Sequence, residues 1–293
     1  MAQQRIGVIG VIGVGHMGGA MAQRLLDRSW PVAVCDINPL AVAPLAARGA
    51  VVHPTPAALA SAADVVIVVV VDGVQTREVV QGVIAAPARP ACVMLCPTIS
   101  PEDVEACASA LAKAGIACLD APISGGPARA RAGRMSLMLA GDPAVCEAQA
   151  ALLADLADPV FRVGARVGDG ARTKLVNNLL AGIHLAGAAE VLALAQRLGL
   201  DASRTLDVIE RSSGQSWIAS DRYRRLLAGD MAPRAHSTLL AKDTRLAVQA
   251  ARSVGAPLAL GPLAAEVFAR ALEAGLGDED DASLIGLYRP PNG

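Results

Sequence analysis

The chain has 293 residues, 53% of them apolar, and a formal net charge of −1. This length allows two domains with substantial cores, while the scattered Lys and Arg residues and the 2% aromatic content argue against a nucleic-acid-binding surface. The longest apolar runs, such as Val65 to Val71, are far shorter than the about 20 residues that cross a bilayer, so no membrane association is expected.

The six cysteines include no C-x-x-C pair, and Cys92 and Cys96 have no histidine partners nearby in the sequence. This pattern predicts free thiols in a reducing cytoplasm rather than disulfides or a zinc site. We therefore expect a cytoplasmic protein without a structural metal.

The first predicted strand is a Val/Ile-rich run over residues 6–13, and a helix is predicted from about residue 17 to residue 27. Gly13, Gly15 and Gly18 between them form a G-x-G-x-x-G pattern in a strand–turn–helix context. The first glycine permits the tight turn, the second lets the backbone approach a pyrophosphate, and the third lets the helix pack on the strand. The pattern predicts a dinucleotide site that also includes His16 and Met17.

An Ile-Gly-Val triplet repeated three times over residues 6–14 makes three registers of this first strand look alike. Only the register with Gly13 as the first glycine has the full spacing and runs directly into a helix. Gly10 is then a glycine within the strand.

A second predicted strand, Val32 to Cys35, ends at Asp36, which follows Gly13 by 36 − 13 = 23 positions. An acid at this place binds the 2′-hydroxyl of the adenosine ribose and repels a 2′-phosphate, so NAD is expected in preference to NADP. The alternative is an aspartate that serves only the turn after the strand.

Strands and helices then alternate as far as residue 165. Further strands are predicted over residues 50–53, 64–71, 92–96, 116–119, 135–140 and 160–163. Helices are predicted over residues 39–48, 74–83 and 143–156, with another that Ser100 caps and Pro101 begins. The alternation predicts a doubly wound parallel α/β sheet, a Rossmann domain of residues 1–165, with Val71 and Thr98 at its ligand-binding carboxyl edge.

Residues 120–127, Asp-Ala-Pro-Ile-Ser-Gly-Gly-Pro, interrupt this alternation. Ser124, Gly125 and Gly126 are flanked by prolines, which predicts a stiff loop whose backbone N–H groups can hold a carboxylate. The alternative is an ordinary Pro/Gly turn.

A long helix is predicted from Gly170 to about Leu198, roughly 40 Å at about 1.5 Å per residue. Lys174 and Asn178 lie one turn apart on the same face. Apart from His184, no ionisable residue occurs in the four turns after Lys174, so the helix is expected to be buried almost all round. The alternative is a lysine that extends to solvent and a tolerated asparagine near a helix start.

The opposite side of this helix carries a continuous apolar stripe. The stripe consists of Val176, Leu180, Ile183, Gly187, Val191, Leu194 and Leu198.

The remaining predicted elements are helices over residues 202–212, 218–228, 237–253, 258–274 and 282–288. They predict an all-α domain of residues 166–293 that begins with the long helix. Its apolar content predicts burial against a second subunit, in a homodimer or homotetramer. Lys242 and Asp243 lie on one of these helices, where Lys242 could also be an ordinary surface ion-pair residue.

The order of motifs is specific: the glycine fingerprint, the Asp120 to Gly126 stretch, Gly170-x-x-x-Lys174-x-x-x-Asn178 and Lys242-Asp243. Together they resemble the β-hydroxyacid dehydrogenase family, which includes 3-hydroxyisobutyrate dehydrogenase, tartronate semialdehyde reductase and 6-phosphogluconate dehydrogenase. The resemblance runs over nearly the whole chain. The segments at residues 214–217, 229–234 and 275–281 look most like the L-threonate dehydrogenase branch.

The resemblance implies an NAD-dependent enzyme with a Rossmann domain and an all-α domain joined by the shared helix, acting on a small carboxylate. It implies that Lys174 is the catalytic acid/base, with Asn178 beside it. It also implies that the substrate carboxylate binds at Ser124, Gly125 and Gly126. Thr98 would lie near the nicotinamide and Lys242 at the cofactor–substrate cleft. Two positions depart from the family pattern, since Pro97-Thr98 stands for the usual Ser-Thr and Val71-Asp72 for a frequent Leu-Pro.

The implied chemistry is reversible hydride transfer between a hydroxyl-bearing carbon and NAD. A lysine accepts the hydroxyl proton only when neutral, and burial lowers the pKa of a lysine from its ordinary value of about 10.4. One rival is a nucleotide-binding sensor without catalysis, and another is an imine-reducing relative; loss of the lysine would be expected in either. Within the family, 3-hydroxyisobutyrate and tartronate semialdehyde are alternative substrates.

Overall fold

A computed structural model describes residues 7–288, which divide into two compact units between Lys174 and Leu175. The first unit is a sheet with helices on both faces and the second is helical, so the predicted fold class is confirmed. Ile6, which the sequence assigns to the first strand, lies outside the described residues, as do residues 289–293 of the predicted second domain.

Nine strands form the sheet within residues 7–288. They are β1 (Ile9–Ile12), β2 (Val32–Cys35), β3 (Val51–Val52), β4 (Val65–Val68), β5 (Cys92–Leu95), β6 (Ala117–Asp120), β7 (Ile123–Ser124), β8 (Met135–Ala140) and β9 (Ala157–Gly164). The order is β3-β2-β1-β4-β5-β6-β8-β7, with β9 on β8. The first six strands are parallel in the 3-2-1-4-5-6 order of a dinucleotide-binding sheet. Strand β8 is antiparallel to β6 and β7.

Eight helices belong wholly to the described part of the first unit. They are α1 (His16–Asp27), α2 (Pro39–Ala46), α3 (Pro56–Ala60), α4 (Gly73–Ile84), α5 (Pro101–Lys113), α6 (Gly126–Arg131), α7 (Pro143–Ala148) and α8 (Ala150–Leu156). The predicted start of α5 is confirmed, because the Ser100 hydroxyl accepts the Asp103 N–H at 3.1 Å and Pro101 is the first helical residue.

Strand β1 shows why both faces of the sheet are covered. Ile9 and Val11 pack into the core on one face, and Ile12 packs into the core on the other, as the two-residue period of a strand requires. A Cβ on Gly10 would overlap the Leu59 side chain of α3. Gly10 therefore lets a helix pack closely on the strand.

The structure differs from the predicted elements of the first unit at several points. Helix α3 was not predicted, since a single turn is too short to show helical periodicity. The predicted helix over residues 143–156 is broken at Gln149 into α7 and α8. The predicted strand over residues 64–71 ends at Val68, where its ladder with β5 ends. The predicted loop of residues 120–127 contains β7 and the start of α6.

Helix α9 (Asp169–Arg197) begins in the first unit and continues into the second. The second unit adds α10 (Ala202–Glu210), α11 (Trp217–Leu227), α12 (Ser237–Ser253), α13 (Leu260–Glu273) and a 3-10 helix (Asp281–Tyr288). The last element was predicted as an ordinary helix and has the tighter 3-10 form. The core of the second unit includes Leu185, Tyr223 and Phe268. The Tyr223 hydroxyl donates a hydrogen bond to the Leu185 carbonyl at 3.1 Å.

The expectation that α9 is buried almost all round is wrong for the single chain. The face with Lys174, Asn178, Leu185 and Leu192 is the buried one. The apolar stripe lies largely in solvent, and Val176 at its beginning is 72% exposed. Periodicity finds an apolar stripe but does not say which side of a helix its own chain covers.

Helix α9 is also the one helix in residues 7–288 with the length and apolar composition of a membrane span. A long core helix of a soluble protein has the same length and composition, so this finding is weak evidence for a membrane.

Candidate active site

The predicted glycine loop directly follows β1. Gly13 has a φ of +85°, and a Cβ there would overlap the carbonyl of Val69, the residue directly after β4. A Cβ on Gly18 would overlap the Gly13 carbonyl, so the loop closes onto α1 only with glycine at both positions. By contrast, a Cβ on Gly15 would have nothing within 4 Å, which leaves room beside the backbone at the start of α1. This arrangement fits the pyrophosphate of a dinucleotide.

Asp36 follows β2 immediately and lies next to this loop. One carboxylate oxygen accepts the Val14 N–H at 2.6 Å and the other accepts the Asn38 N–H at 2.8 Å. The carboxylate is therefore held at the carboxyl edge beside Gly13. This is where an acid contacts the adenosine ribose in dinucleotide-binding folds.

The four other predicted cofactor-binding residues are half-buried or exposed. His16 is exposed and Met17 is half-buried at the start of α1, while Thr98 is half-buried between β5 and α5. Val71 lies three residues beyond the end of β4 and is 54% exposed. Since β1, β4 and β5 are adjacent parallel strands, the segments that contain these residues all leave the same edge of the sheet.

Asp72, which departs from the family pattern, has a structural explanation. Its side chain accepts the Gln75 N–H at 2.9 Å and caps the N-terminus of α4. A carboxylate at this position stabilises a helix start.

Ser124, Gly125 and Gly126 lie at the junction of β7 and α6. Ser124 pairs with Ser136 of β8, and Gly126 is the first residue of α6. The two glycines have φ values of +126° and +75°, which side-chain-bearing residues rarely adopt. The turn is thus fixed by its glycines and by the strand before it, and all three residues are half-buried.

Lys174 lies in the second turn of α9 and is only 6% exposed. The start of α9 is held by Asp120, the last residue of β6, whose Oδ2 accepts the N–H groups of Gly168 at 2.8 Å and Ala171 at 3.0 Å. Burial raises the pKa of the Asp120 carboxyl to about 6, although these backbone N–H groups oppose the increase. The lysine therefore belongs to a helix whose first turn is anchored to the sheet.

Asn178, one turn after Lys174, is fixed by side chains of the second unit. Its Nδ2 donates to Asp243 Oδ2 at 2.6 Å, and its Oδ1 accepts a hydrogen bond from Asn177 Nδ2 at 2.9 Å. The Lys242 ammonium lies 2.9 Å from Asp243 Oδ1. Asp243 thereby joins two residues that the sequence had assigned to the site.

Sequence reasoning did not assign roles to Asp120 and Asp243. Both were visible within the motifs, as the first residue of the Asp120 to Gly126 stretch and the second of the Lys242-Asp243 pair. Their burial, at 1% and 5% exposed, is what distinguishes them from ordinary surface acids.

The cysteine side chains lie mostly in the core of the first unit. All six cysteines are free, and five are buried. Burial raises the pKa of the Cys92 and Cys96 thiols to about 12, so they are protonated at neutral pH. Among residues 7–288, no group of three or more His, Cys, Asp or Glu side chains could hold a metal ion.

Comparison with known proteins defines the class. Residues 8–164 match the model of the NAD-binding domain of 6-phosphogluconate dehydrogenase, and residues 168–288 match that of the NAD-binding region of NADP-dependent 3-hydroxyisobutyrate dehydrogenase. With the glycine loop at the edge of a Rossmann sheet, these matches define a nicotinamide-dependent oxidoreductase of hydroxy acids.

Individual relatives identify the family. The chain is 39% identical to L-threonate dehydrogenase from Cupriavidus necator, over 96% of this chain and 95% of the relative, and 31% identical to human mitochondrial 3-hydroxyisobutyrate dehydrogenase, over 96% and 86%. A crystal structure of 3-hydroxyisobutyrate dehydrogenase from Salmonella typhimurium superposes with a TM-score of 0.89 at 34% identity, covering 96% of this chain and 99% of that one. The chain belongs to the β-hydroxyacid dehydrogenase family.

Proposed function

We propose that this protein oxidises a small L-threonate-like sugar acid with NAD, reversibly, and that Lys174 is the acid/base. The observation that carries the proposal is a buried lysine in the second turn of α9, a helix anchored to the carboxyl edge of a dinucleotide-binding sheet. The substrate class is supported by the 39% identity to an L-threonate dehydrogenase over nearly the full length of both chains.

In the proposed reaction, a nicotinamide held on the side of Val71 and Thr98 would supply the acceptor for the hydride that leaves the hydroxyl-bearing carbon. The hydroxyl proton passes to the neutral amine of Lys174, and the carbon becomes a carbonyl, so that the substrate loses two electrons and two hydrogens. In reduction the Lys174 ammonium returns the proton to the carbonyl oxygen. Asn178, whose amide Asp243 orients, hydrogen-bonds the same oxygen.

The substrate carboxylate is proposed to bind at Ser124, Gly125 and Gly126, where a hydroxyl and backbone N–H groups act as donors. Lys242 is proposed to contribute a further cation to substrate binding. The support for this role is that the Lys242 side chain is only 17% exposed and its ammonium lies 2.9 Å from the Asp243 carboxylate. An ordinary surface ion pair would lie in solvent.

The proposed cofactor is NAD rather than NADP. The Asp36 carboxylate is held beside the glycine loop by two backbone N–H groups, so it cannot easily turn away from a ribose bound there. A 2′-phosphate at that ribose would meet a like charge. The dinucleotide is proposed to bind at Gly13, Gly15, His16, Met17 and Gly18, with Val71 and Thr98 on the nicotinamide side.

A second candidate substrate is 3-hydroxyisobutyrate, favoured by the 31% identity to the human enzyme of that name. Tartronate semialdehyde is a third. A sensor that binds nucleotide without catalysis is disfavoured because the lysine is present and buried.

The test is a matrix of L-threonate, D-glycerate and 3-hydroxyisobutyrate against NAD and NADP, followed by the absorbance of the reduced cofactor. The proposal expects the highest kcat/KM with L-threonate and NAD. A preference for NADP would contradict the role of Asp36, and a preference for 3-hydroxyisobutyrate would select the second candidate. No turnover with any hydroxy acid, together with tight NAD binding, would support the sensor.

The proposed assembly is a homodimer or homotetramer in which a second copy covers the α9 stripe. In the single chain, Leu180, Val191 and Leu194 are each about half exposed, and Val176 and Leu198 at the ends are exposed further. Contiguous apolar surface of this kind marks an interface. A second copy of the chain is the occupant we favour because the stripe is long and apolar throughout, as interfaces between identical subunits are.

Light scattering after size exclusion tests this assembly. The wild type is expected to be at least dimeric, and Leu180→Glu is expected to be smaller. Leu40→Glu is the control, since Leu40 of α2 is 80% exposed outside the stripe. A monomeric wild type would contradict the proposal.

We also propose a cytoplasmic location, supported by the six free thiols.

A further inference from the structure

Asp120 is a buried carboxylate that caps a helix from far away in the sequence. It ends β6 and is 1% exposed, and its Oδ2 accepts two N–H groups at the start of α9, some 50 residues later, at 2.8 and 3.0 Å. These N–H groups have no partner within the helix itself. Asp120 therefore satisfies donors that a local N-cap residue would ordinarily bind.

The contact between Asp120 and the first turn of α9 leaves no room for a side chain at Gly170. A Cβ on Gly170 would lie 2.8 Å from both the Asp120 Cγ and the Met138 carbonyl. Only glycine allows the first turn of α9 to approach the carboxylate this closely. This contact explains the glycine that precedes Lys174 by four positions in the motif.

Asp120 also lies between the two parts of the proposed site within the first unit. The chain passes from Asp120 through three buried residues to Ser124, where the proposed carboxylate-binding turn begins. On the other side, Ala171, which donates to Asp120, is one helical turn before Lys174. One side chain thus links the sheet edge that holds the turn to the helix that holds the lysine.

The charge of Asp120 is unfavourable for stability. Burial is the largest cause of the raised pKa of its carboxyl, and the Asp169 carboxylate at the start of α9 raises it further. Asp120 in turn raises the pKa of two nearby thiols, Cys96 directly after β5 and Cys118 in β6. The groups that favour the ionised form are the backbone N–H groups of α9. A neutral residue that only filled the space would avoid this cost.

We propose that Asp120 is a positioning residue for hydride transfer: by anchoring the first turn of α9 to the end of β6, it sets the place of the Lys174 amine relative to the Ser124 to Gly126 turn. This inference rests on the proposed role of Lys174. Asparagine at position 120 would keep the shape but would place an NH2 group or a single neutral oxygen opposite the N–H donors. The first turn of α9 would then lose its anchor.

The test uses Asp120→Asn with Asp142→Asn as the matched control. Asp142 caps α7 in the same unit, where its Oδ1 accepts the Ala144 N–H at 2.7 Å and the Val145 N–H at 3.4 Å. Single-turnover formation of NADH from L-threonate is measured because it reports the chemical step rather than product release. NAD affinity, substrate KM and melting temperature are measured alongside.

For Asp120→Asn we expect a single-turnover rate lower by about 10- to 100-fold, since small displacements of a catalytic group have effects of this size. NAD affinity and substrate KM are expected to be unchanged, and the melting temperature is expected not to fall. The control is expected to keep the wild-type rate. A purely structural role would instead lower the melting temperature and NAD affinity together with the rate.

An Asp120→Asn rate within about twofold of wild type, or a rate loss that follows loss of folded protein, would overturn the inference. If Asp120→Asn does not fold, Gly170→Ala provides the second measurement. That variant keeps the Asp120 carboxylate, and its added methyl group pushes α9 away from the carboxylate. A wild-type rate in Gly170→Ala would also overturn the inference. Lys174→Ala separates the two proposals. Full activity of Lys174→Ala refutes the proposed mechanism, while an inactive Lys174→Ala beside a fully active Asp120→Asn refutes only the role of Asp120.

Discussion

The stability of Asp120→Asn, measured relative to the wild type, should increase as the pH rises from about 4 to 7. In the folded chain the pKa of this carboxyl is raised from 3.8 to about 6, chiefly by burial. Because the folded state holds the proton more tightly than the unfolded state, wild-type stability falls as pH rises through this window. A difference of about two pKa units corresponds to roughly 3 kcal/mol, and asparagine, which does not titrate, avoids that loss.

The assay is thermal melting of both proteins across this pH range. Titration of other groups, including Asp281, whose buried carboxyl also has a pKa raised to about 6, is common to both proteins and cancels in the difference. The difference in melting temperature, Asp120→Asn minus wild type, is expected to grow by several degrees toward neutral pH, since roughly 2–4 °C corresponds to each kcal/mol in proteins approaching this size. A difference that does not change with pH would refute the account of Asp120 as a buried, ionised carboxylate.

Three further predictions concern the glycine loop and the hydrogen bond from Asn178 to Asp243. Gly15→Ala should melt like the wild type but bind NAD at least about tenfold more weakly, because its methyl group has free space in the protein and stands where the pyrophosphate should lie; equal affinity by calorimetry would contradict the placement of the pyrophosphate. Gly18→Ala should lower both the melting temperature and NAD affinity, because its Cβ overlaps the Gly13 carbonyl; wild-type melting would contradict that packing. Asp243→Asn should reduce kcat more than NAD affinity, because it weakens the charge-assisted bond that orients Asn178; an unchanged kcat would show that this orientation is not needed.

Much of the first unit follows from local sequence patterns. A parallel strand covered on both faces appears as a short apolar run, and the predicted bounds of β2 and β8 agree with the structure to the residue. Helix α5 was predictable from Ser100 and Pro101 because capping is a local interaction. Helix α3 was missed because one turn contains too few residues to show a period.

The parts that could not be predicted depend on contacts distant in sequence. The hydrogen bonds from Gly168 and Ala171 to Asp120 span about 50 positions, and no local pattern shows that this aspartate caps α9. The bond from Asn178 to Asp243 spans 65 positions. In each case the residue types were noticed as motifs, but their roles depend on burial, which a single sequence does not reveal.

The stripe of α9 shows a related limit. A helical period identifies which residues share a face, and the shared stripe was found correctly. Whether that face is covered by the same chain is a question of tertiary packing, and the structure leaves the stripe exposed while it buries the face of Lys174. An apolar period on a helix therefore predicts burial, but not by which chain.

The most direct test of the central claim is the turnover of Lys174→Ala with L-threonate and NAD. Lys113→Ala is the matched control, since Lys113 is an exposed lysine in the last turn of α5. The account predicts that Lys174→Ala binds NAD with wild-type affinity but loses at least about 1,000-fold in kcat, within the range expected when a general acid/base is removed, while the control keeps wild-type activity. Near-normal kcat in Lys174→Ala would contradict the account.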